Sequence, residues 1–207
     1  MDAFSRDQAM ETAAESIVEA GRRMDRFGWV PSYGGNLSAR LDETTVAITR
    51  SGCRKGLLTR EHVIQVDLAG RPLREGDKPS AETLLHCQVY EMLPSAGAVL
   101  HGHSVAATLL SRRATDGAIR FSGYEMIKAF EGQLTHETTL TLPVLENNQD
   151  MRVLRDELAG ILPSCTCGYV LRGHGVYVWG RTMEQAISNL EGLEFLLACE
   201  LEALKLG

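Results

Sequence analysis

Two histidines lie two residues apart in the apolar run Val99-Leu100-His101-Gly102-His103, which has the composition of a buried strand. Alternate side chains of a strand point to the same side, so His101 and His103 can direct their imidazoles at one point. A third histidine, His174, lies between two glycines, which allow another group to approach closely. Three neutral imidazoles that leave a fourth position open are typical of a catalytic divalent-metal site. We therefore predict that His101, His103 and His174 bind one metal ion, with Zn2+ favoured.

Each of these histidines also has a simpler interpretation. A buried histidine is often a hydrogen-bonded core residue, and a Gly-His-Gly segment also fits a plain tight turn. His86 follows Glu82 by four residues on the same predicted helical face, which fits either a group that supports the metal ligands or a surface pair. His62 and His136 lie among polar residues, and we expect both to be exposed to solvent.

Composition limits the class of protein. The chain has 207 residues, 44% of them hydrophobic, which suits one large domain over residues 1–207. Its formal net charge is −6 and its basic residues are scattered, so we expect no nucleic-acid partner. No segment approaches the roughly 18 apolar residues that span a bilayer, and we expect a cytoplasmic protein without a membrane partner. The five cysteines are predicted to be free thiols.

Hydrophobic periodicity predicts a mixed α/β fold. Helical spacing of apolar residues predicts helices over 6–27, 79–92, 104–110, 124–130, 149–162 and 182–205. Alternating or continuous apolar runs predict strands over 36–41, 45–49, 63–68, 98–103 and 138–144, and two further strands within 168–179. In the helix over 79–92, Ser80 is the expected cap and Glu82 the acidic residue of the first turn. The hairpin-like pairs indicate one central, mainly antiparallel sheet flanked by helices.

Two loops of small residues flank the first predicted hairpin and are candidates for anion binding. One contains Gly35 and Asn36, and the other contains Ser51 and Gly52. Ser80 lies at the predicted start of a helix. Backbone amides in such loops and at helix starts can hold phosphate oxygens. Ordinary turn chemistry explains the same composition, and neither loop matches a P-loop or a dinucleotide-binding motif.

These motifs, in this order, resemble the class II aldolase family over about residues 10–205. The matching pieces are Gly-Gly-Asn at 34–36, Thr-Arg-Ser-Gly at 49–52, Pro-Ser-Ala-Glu at 79–82 with His86, His-Gly-His at 101–103 and Gly-His-Gly at 173–175. The resemblance implies a mainly antiparallel sheet between helices, a zinc ion held by the three histidines, and a homotetramer with sites at subunit interfaces. It also implies that the phosphate of a sugar phosphate is bound by Gly35, Asn36, Ser51, Gly52 and Ser80.

Within that family the chain is most similar to a dehydratase group whose substrate is a 2-keto sugar phosphate with a methylthio end. Segments 124–128, 142–147 and 170–180 carry this similarity. The resemblance implies that Glu125 is the catalytic acid and base, because its segment distinguishes the dehydratase group. Glu82 is the alternative, because aldolases of the family carry their acid/base glutamate at the Ser-x-Glu helix start.

Two other functions are compatible with this pattern. A class II sugar-phosphate aldolase or a pentulose-phosphate 4-epimerase would use nearly the same metal and phosphate sites. The head domain of adducins resembles this fold but serves the cytoskeleton without catalysis, and such a module does not need three metal ligands. Product analysis separates the enzymes from one another, and metal content separates an enzyme from the module.

Overall fold

One eight-stranded sheet forms the centre of the structure, a computed structural model in which residues 3–206 are described. The strands are β1 (Asn36–Arg40), β2 (Thr45–Thr49), β3 (Val63–Asp67), β4 (Ala98–Gly102), β5 (Ala118–Ser122), β6 (Thr139–Leu145), β7 (Tyr169–Leu171) and β8 (Val176–Gly180). The helices are α1 (Ala3–Arg26), α2 (Thr83–Met92), α3 (Val105–Arg113), α4 (Met151–Ile161) and α5 (Met183–Leu206). Short 3-10 helices cover Lys55–Leu57, Arg60–His62, Glu125–Ala129 and Leu162–Ser164.

The strand order of the sheet is β3-β2-β1-β4-β8-β7-β6-β5. Neighbouring strands are antiparallel except for β6 and β7, which are parallel. The predicted α/β fold with a mainly antiparallel central sheet is therefore confirmed. Strand β4 lies in the middle of the sheet, between β1 and β8, so the backbone that carries His101 is held by hydrogen bonds on both sides.

Helices cover both faces of the sheet. The apolar sides of α1, α3 and α5 pack on one face, and those of α2 and α4 pack on the other. Side chains of β4 alternate between the two, with Leu100 on the first face and Val99 on the second. His101 has the parity of Val99, so its imidazole points to the side of α2. Within residues 3–206, none of the helices combines the length and the apolar character that a bilayer crossing requires.

The start of α2 differs from the prediction. The helix begins at Thr83, and residues 81–82 form a turn before it. Ser80 is not the cap, and Glu82 occupies the N-cap position instead of the first turn. The physical reason is that Pro79 pairs with Arg50 in an isolated antiparallel bridge, which keeps the chain extended up to this point. The Glu82 carboxylate makes no capping bond and is free to face the sheet.

The segment around Glu125 also differs from the prediction in part. The helix expected over 124–130 is a 3-10 helix, Glu125–Ala129. The strand β5 before it was not predicted. Its residues alternate between buried Ile119 and Phe121 and exposed Arg120 and Ser122, which is the period of a strand with one face on the core. The alternation covers only five residues, at the edge of the sheet next to β6.

Helix α5 carries a buried acidic residue, Glu194, whose titration makes the stability of the fold depend on pH. Glu194 is only 4% exposed, and burial raises the pKa of its carboxyl to about 7, although a hydrogen bond with Ser104 acts in the opposite direction. Ser104 is the N-cap residue of α3, where its side chain accepts the backbone N–H of Ala107. The folded protein therefore keeps the Glu194 proton over a pH range in which the unfolded chain loses it.

We expect this carboxyl to make the free energy of unfolding fall as pH rises from about 4.5 to about 7, by up to about 3 kcal/mol. Glu194→Gln removes the titration, so the variant should show a flatter pH dependence and higher stability than the parent at pH 8. Denaturant unfolding between pH 5 and 8, in chelator and at fixed protein concentration, measures both. Equal pH slopes for the variant and the parent would contradict this assignment.

Candidate metal centre

The first two predicted ligands converge at the end of β4. His101 lies in the strand and is fully buried, whereas His103 follows the strand and is partly buried. The two Nε2 atoms are 2.7 Å apart, and the ring centroids are 4.5 Å apart. The prediction that a two-residue spacing aims both imidazoles at one point is therefore confirmed. The backbone N–H of His103 donates to the carbonyl of Trp29, which fixes the chain just beyond the strand.

The third predicted ligand comes from the turn between β7 and β8. Because β8 pairs with β4, this turn lies beside the end of β4, and the His174 ring centroid is 5.0 Å from that of His101 and 4.7 Å from that of His103. A Cβ atom on Gly175 would lie 2.1 Å from the carbonyl oxygen of Gly102. Only glycine allows this close approach of the two strands. The ligand atoms of the three histidines lie within 4.8 Å of one another, in a group that can hold a metal ion.

Hydrogen bonds to the outer ring nitrogens orient two of the ligands. Nδ1–H of His101 donates to the carbonyl of Val176 at 2.9 Å, and Nδ1–H of His174 donates to Oδ1 of Asn147 at 3.2 Å. Each bond leaves the Nε2 lone pair directed into the cluster, as metal-binding histidines require. Burial lowers the pKa of His103 to about 4 and holds that of His101 well below its usual value. Both rings are therefore neutral ligands at pH 7.

Glu82 is the acidic group that the chain itself places at this cluster. Its Oε1 lies 3.0 Å from Nε2 of His174, and its Oε2 lies 3.3 Å from Nε2 of His101. Burial raises the pKa of the carboxyl, but its contact with the His174 ring, its electrostatic interaction with the His101 and His174 rings, and the hydrogen bond from Asn36 together outweigh burial and lower it. Glu82 is therefore a carboxylate at neutral pH. Helical spacing from His86 could not have shown this contact, because Glu82 precedes the first turn of α2.

This set of groups fits a divalent cation. The ring proton of His101 is used in the bond to Val176, so its Nε2 presents a lone pair to the Nε2 of His103 at 2.7 Å and to the Glu82 carboxylate at 3.3 Å. Lone pairs and a carboxylate at these distances repel each other unless a proton or a cation lies between them. Imidazole nitrogens with one carboxylate are a donor set that Zn2+, Fe2+, Ni2+ and Cu2+ accept.

Two of the predicted phosphate contacts lie beside Glu82. Asn36 is buried, and its Nδ2 donates to Oγ of Ser80 at 3.1 Å and to Oε2 of Glu82 at 2.6 Å. Gly35 precedes Asn36 with a φ of +74°, and a Cβ atom there would lie 2.5 Å from the carbonyl oxygen of His101. The left-handed backbone and the close approach both require glycine. The loop over 34–36 is thus packed directly against the strand of the metal ligands.

The other predicted phosphate contacts lie on a neighbouring loop. Ser51 and Gly52 are exposed, and the backbone N–H of Ser51 donates to the carbonyl of Lys78 at 2.9 Å. This bond and the Arg50–Pro79 bridge place the loop alongside the segment that leads to Ser80. The structure therefore brings the loop over 50–52 next to the segment 78–80.

A buried cation close to these loops was missed in the sequence analysis. The Nζ of Lys55 donates to the carbonyl oxygens of Tyr33 and Cys53, at 2.9 and 2.7 Å, and so ties the two glycine-containing loops together. Burial lowers the pKa of Lys55, while the charges of Cys53 and Glu82 act in the opposite direction. A single lysine in a polar loop gives no sequence signal of burial, since lysine is almost always exposed.

Glu125 is not at the cluster within its own chain. Its side chain is 75% exposed, and its Oε1 accepts a hydrogen bond from Nζ of Lys128 at 2.6 Å. Its Oε2 lies 3.7 Å from Nδ1 of His136, which is exposed as predicted. The hydrogen bond from Lys128 lowers the pKa of Glu125. Among the ion pairs and hydrogen bonds of residues 3–206, none joins Glu125 to His101, His103 or His174.

The remaining histidines occupy other places. His86 is fully buried, so the surface-pair interpretation is wrong; its Nδ1 lies 2.7 Å from Oγ of Ser38. His62 is only partly exposed, because its ring accepts the backbone N–H of Thr59 at 3.0 Å. Tyr177, which the sequence analysis did not single out, stacks on His101 with the ring centroids 4.0 Å apart.

Comparison with known proteins identifies the family of this chain. The family model "Class II Aldolase and Adducin N-terminal domain" matches residues 15–201. A methylthioribulose-1-phosphate dehydratase from Gluconacetobacter diazotrophicus is 60% identical over 195 residues, covering 94% of this chain and 95% of that protein. The protein of the same name from Gluconobacter oxydans is 53% identical over 199 residues, covering 96% of each chain.

Solved structures share the fold. An L-fuculose-1-phosphate aldolase from Thermus thermophilus superimposes with a TM-score of 0.74 at 25% identity, over 91% of this chain and 92% of that chain. A sugar-phosphate aldolase from Thermotoga maritima superimposes with a TM-score of 0.73 at 18% identity, over 96% and 97%. With the family model matched over most of its length and relatives more than half identical, the chain belongs to the class II aldolase and adducin N-terminal domain family.

Proposed function

We propose that this chain is a single-domain, zinc-dependent dehydratase that converts 5-methylthioribulose 1-phosphate into 5-methylthio-2,3-diketopentyl 1-phosphate and water, in methionine salvage. It acts as a cytoplasmic homotetramer. The observation that carries the proposal is the shared name of relatives that are 53–60% identical over nearly their whole length, methylthioribulose-1-phosphate dehydratase. The cluster of three histidines and a carboxylate supports it, since a non-catalytic module has no need of such a site.

His101, His103 and His174 hold the metal in this proposal, through Nε2 in each case. A bound divalent ion polarises a substrate carbonyl as a Lewis acid and makes the proton on the adjacent carbon more acidic. The hydrogen bonds that His101 and His174 donate to Val176 and Asn147 keep the Nε2 lone pairs aimed inward, so the ligands need little rearrangement when the ion binds.

The phosphate end of the substrate lies against Gly35, Asn36, Ser51, Gly52 and Ser80. Hydroxyl and amide groups of this kind, and the backbone N–H groups of glycine-containing loops, suit phosphate oxygens. The buried ammonium of Lys55, held between the two loops, adds a fixed positive charge nearby. The hydrogen bond from Nδ2 of Asn36 to Oε2 of Glu82 connects the phosphate side of the site to the metal side.

Ser80→Ala should raise the KM for the phosphorylated substrate about 10-fold with a smaller change in kcat, because a hydrogen bond to a charged group contributes roughly 1.5 kcal/mol or more. Steady-state kinetics, with competition by inorganic phosphate, provides the measurement. The exposed Ser164, far along the chain in the 3-10 helix Leu162–Ser164, supplies the matched Ser→Ala control. If the Ser80→Ala enzyme had the same KM and the same inhibition by phosphate as the parent, Ser80 would not be a phosphate contact.

Glu125 is the proposed acid and base, acting in the site of a neighbouring subunit. It is exposed on the surface of its own chain, and the resemblance to the family implies active sites at subunit interfaces. Contact with a second copy would bury the carboxyl and raise its pKa toward neutrality, as an acid/base group requires. Glu82 remains the alternative because it is the carboxylate that already contacts His101 and His174.

The reaction then needs two proton transfers. The carboxylate removes the proton on carbon 3, and the electrons of that C–H bond form a double bond to carbon 4 as the C4–O bond breaks. The departing hydroxyl takes a proton from the carboxylic acid and leaves as water. The resulting enol at carbon 3 tautomerises to the 2,3-diketone, so atoms and charge balance without another reactant. One glutamate serves both transfers if it reaches both carbons.

Product analysis tests this proposal against the related enzymes. Incubation of the pure protein with 5-methylthioribulose 1-phosphate should give one product that is lighter by one water and retains all the carbon atoms. Two shorter fragments would indicate a sugar-phosphate aldolase, and an isomer of unchanged mass would indicate a pentulose-phosphate 4-epimerase. An absence of metal and turnover in the purified protein would favour the adducin-like module.

A further inference from the structure

A row of polar and aromatic side chains crosses the sheet directly behind the metal ligands. The strand register pairs Asn36 of β1 with His101 of β4, His101 with Tyr177 of β8, and Tyr177 with Tyr169 of β7. Directly paired residues point to the same face, so these four side chains form one line on the side of α2. His86, on α2, packs over this line with its ring edge against Tyr177, at a centroid distance of 5.8 Å and an angle of 73°.

The ring of Tyr177 is held between two other rings. It lies nearly parallel to His101, at a centroid distance of 4.0 Å and an angle of 15°, and nearly parallel to Tyr169, at 4.7 Å and 7°. Tyr177 and Tyr169 are both fully buried. A ring fixed on both faces cannot rotate, so Tyr177 fixes the plane of the His101 imidazole in turn.

Besides Oδ1 of Asn36, three buried polar atoms in this region have no hydrogen-bond partner among the described residues. They are the hydroxyl oxygens of Tyr177 and Tyr169 and the Nε2 of His86. Nδ1 of His86 is engaged with Oγ of Ser38, so its Nε2 is the nitrogen left over. Buried polar atoms that lack partners are costly, and internal water molecules typically bind where several of them converge.

The charge of Glu82 affects the pKa values of all three residues that carry these atoms, Tyr177, Tyr169 and His86. Burial and the charge of Glu82 together raise the pKa of Tyr169 and of Tyr177. Burial lowers the pKa of His86, and the charge of Glu82 acts against it. The carboxylate that contacts His101 and His174 therefore lies near enough to all three of these residues to affect their ionisation.

We propose that Tyr177 is a positioning residue for His101 and Glu82, and that one internal water joins its hydroxyl to Tyr169, His86 and Glu82. The water accepts hydrogen bonds from the two tyrosine hydroxyls and donates one to Nε2 of His86 and one to the Glu82 carboxylate. Every lone pair and proton of the water is then used. This inference rests on the proposed function only in that His101 and Glu82 belong to its site.

Two variants separate the ring of Tyr177 from its hydroxyl. Tyr177→Phe keeps the stack on His101, so metal affinity should stay within about 2-fold of the parent while kcat falls about 10-fold at an almost unchanged KM, in the range seen for groups that support a metal site. Tyr177→Leu removes the stack as well, and metal affinity should fall about 10-fold or more. Competition with a chromophoric zinc chelator measures affinity without any substrate.

Tyr90→Phe is the matched control. The hydroxyl of Tyr90 is also fully buried, but it bonds to Oγ of Ser38 at 2.8 Å and is not one of the three unpartnered atoms. We expect its kcat and metal affinity to stay within about 2-fold of the parent, since Ser38 keeps its contact with His86. A kcat for Tyr177→Phe that equals that of Tyr90→Phe would overturn the positioning role.

A high-resolution crystal structure of the unaltered, zinc-loaded protein tests the water directly. The proposal predicts one ordered water within about 2.6–3.2 Å of both tyrosine hydroxyls and Nε2 of His86. Density without a water at that place would overturn it, even if Tyr177→Phe did not fold. The zinc competition and the crystal structure use no substrate, so both remain decisive if product analysis assigns the chain a different reaction.

Discussion

The double variant His101→Ala, His103→Ala is expected to lose its bound metal and all measurable product formation. Both Nε2 atoms would be removed from a group whose ligand atoms lie within 4.8 Å of one another, leaving His174 as the one histidine of the site. A single imidazole cannot hold a divalent ion against chelation. Elemental analysis of the purified variant, after dialysis against a metal-free buffer, measures the effect.

Loss of metal must be separated from loss of folding. His101 is fully buried, so its truncation leaves a cavity, and circular dichroism with thermal unfolding is needed alongside the metal analysis. His62→Ala is the matched control because its ring bonds to Thr59, outside the cluster, and this variant should keep its metal. If the folded double variant still carried a full complement of zinc, the three histidines would not be the metal site.

Glu125→Gln is expected to keep its metal and to lose about 10²- to 10⁴-fold in turnover, which is the usual contribution of acid–base catalysis. Its amide has the same shape as the carboxylate but neither takes nor gives the proton. Glu137→Gln, on an exposed residue of the following loop, is the matched control and should retain parent activity. Full activity in Glu125→Gln together with its loss in Glu82→Gln would transfer the role to Glu82.

Subunit mixing tests whether Glu125 acts in a neighbouring copy. Subunits with Glu125→Gln have intact metal ligands, and subunits with the double histidine change have an intact Glu125. If the site takes its glutamate from another copy, hybrids of the two inactive proteins contain restored sites, about a quarter of the total for random pairing in equal amounts. No recovery after verified subunit exchange would contradict action across the interface.

How much of this site could be predicted from the sequence depends on how far apart its residues lie along the chain. The two-residue spacing of His101 and His103 was sufficient, although His103 lies one residue beyond β4, because alternate residues at the end of a strand point to the same side. His174 is far along the chain and reaches them only because β8 pairs with β4, which no local pattern specifies. The resemblance to a family supplied what local periodicity could not.

The parts that sequence reasoning missed depend on tertiary contacts. Glu82 reaches the cluster because the bridge between Arg50 and Pro79 delays the start of α2 to Thr83, and helix-start signals do not include such a bridge. Tyr177 touches His101 because of strand register, which is set by pairing across the whole sheet. The residues of the edge strand β5 alternate between buried and exposed, but five residues are too few for this pattern to be distinguished from a loop in the sequence.

Titration of the metal-stripped protein with zinc, in the presence of 5-methylthioribulose 1-phosphate, tests whether the protein is a zinc-dependent dehydratase. We expect no product from the stripped protein, a linear rise of the dehydrated diketone with added zinc, and a break at one ion per subunit. Undiminished product formation in the stripped protein, or one tightly bound zinc per subunit without any loss of water from the substrate, would contradict this function.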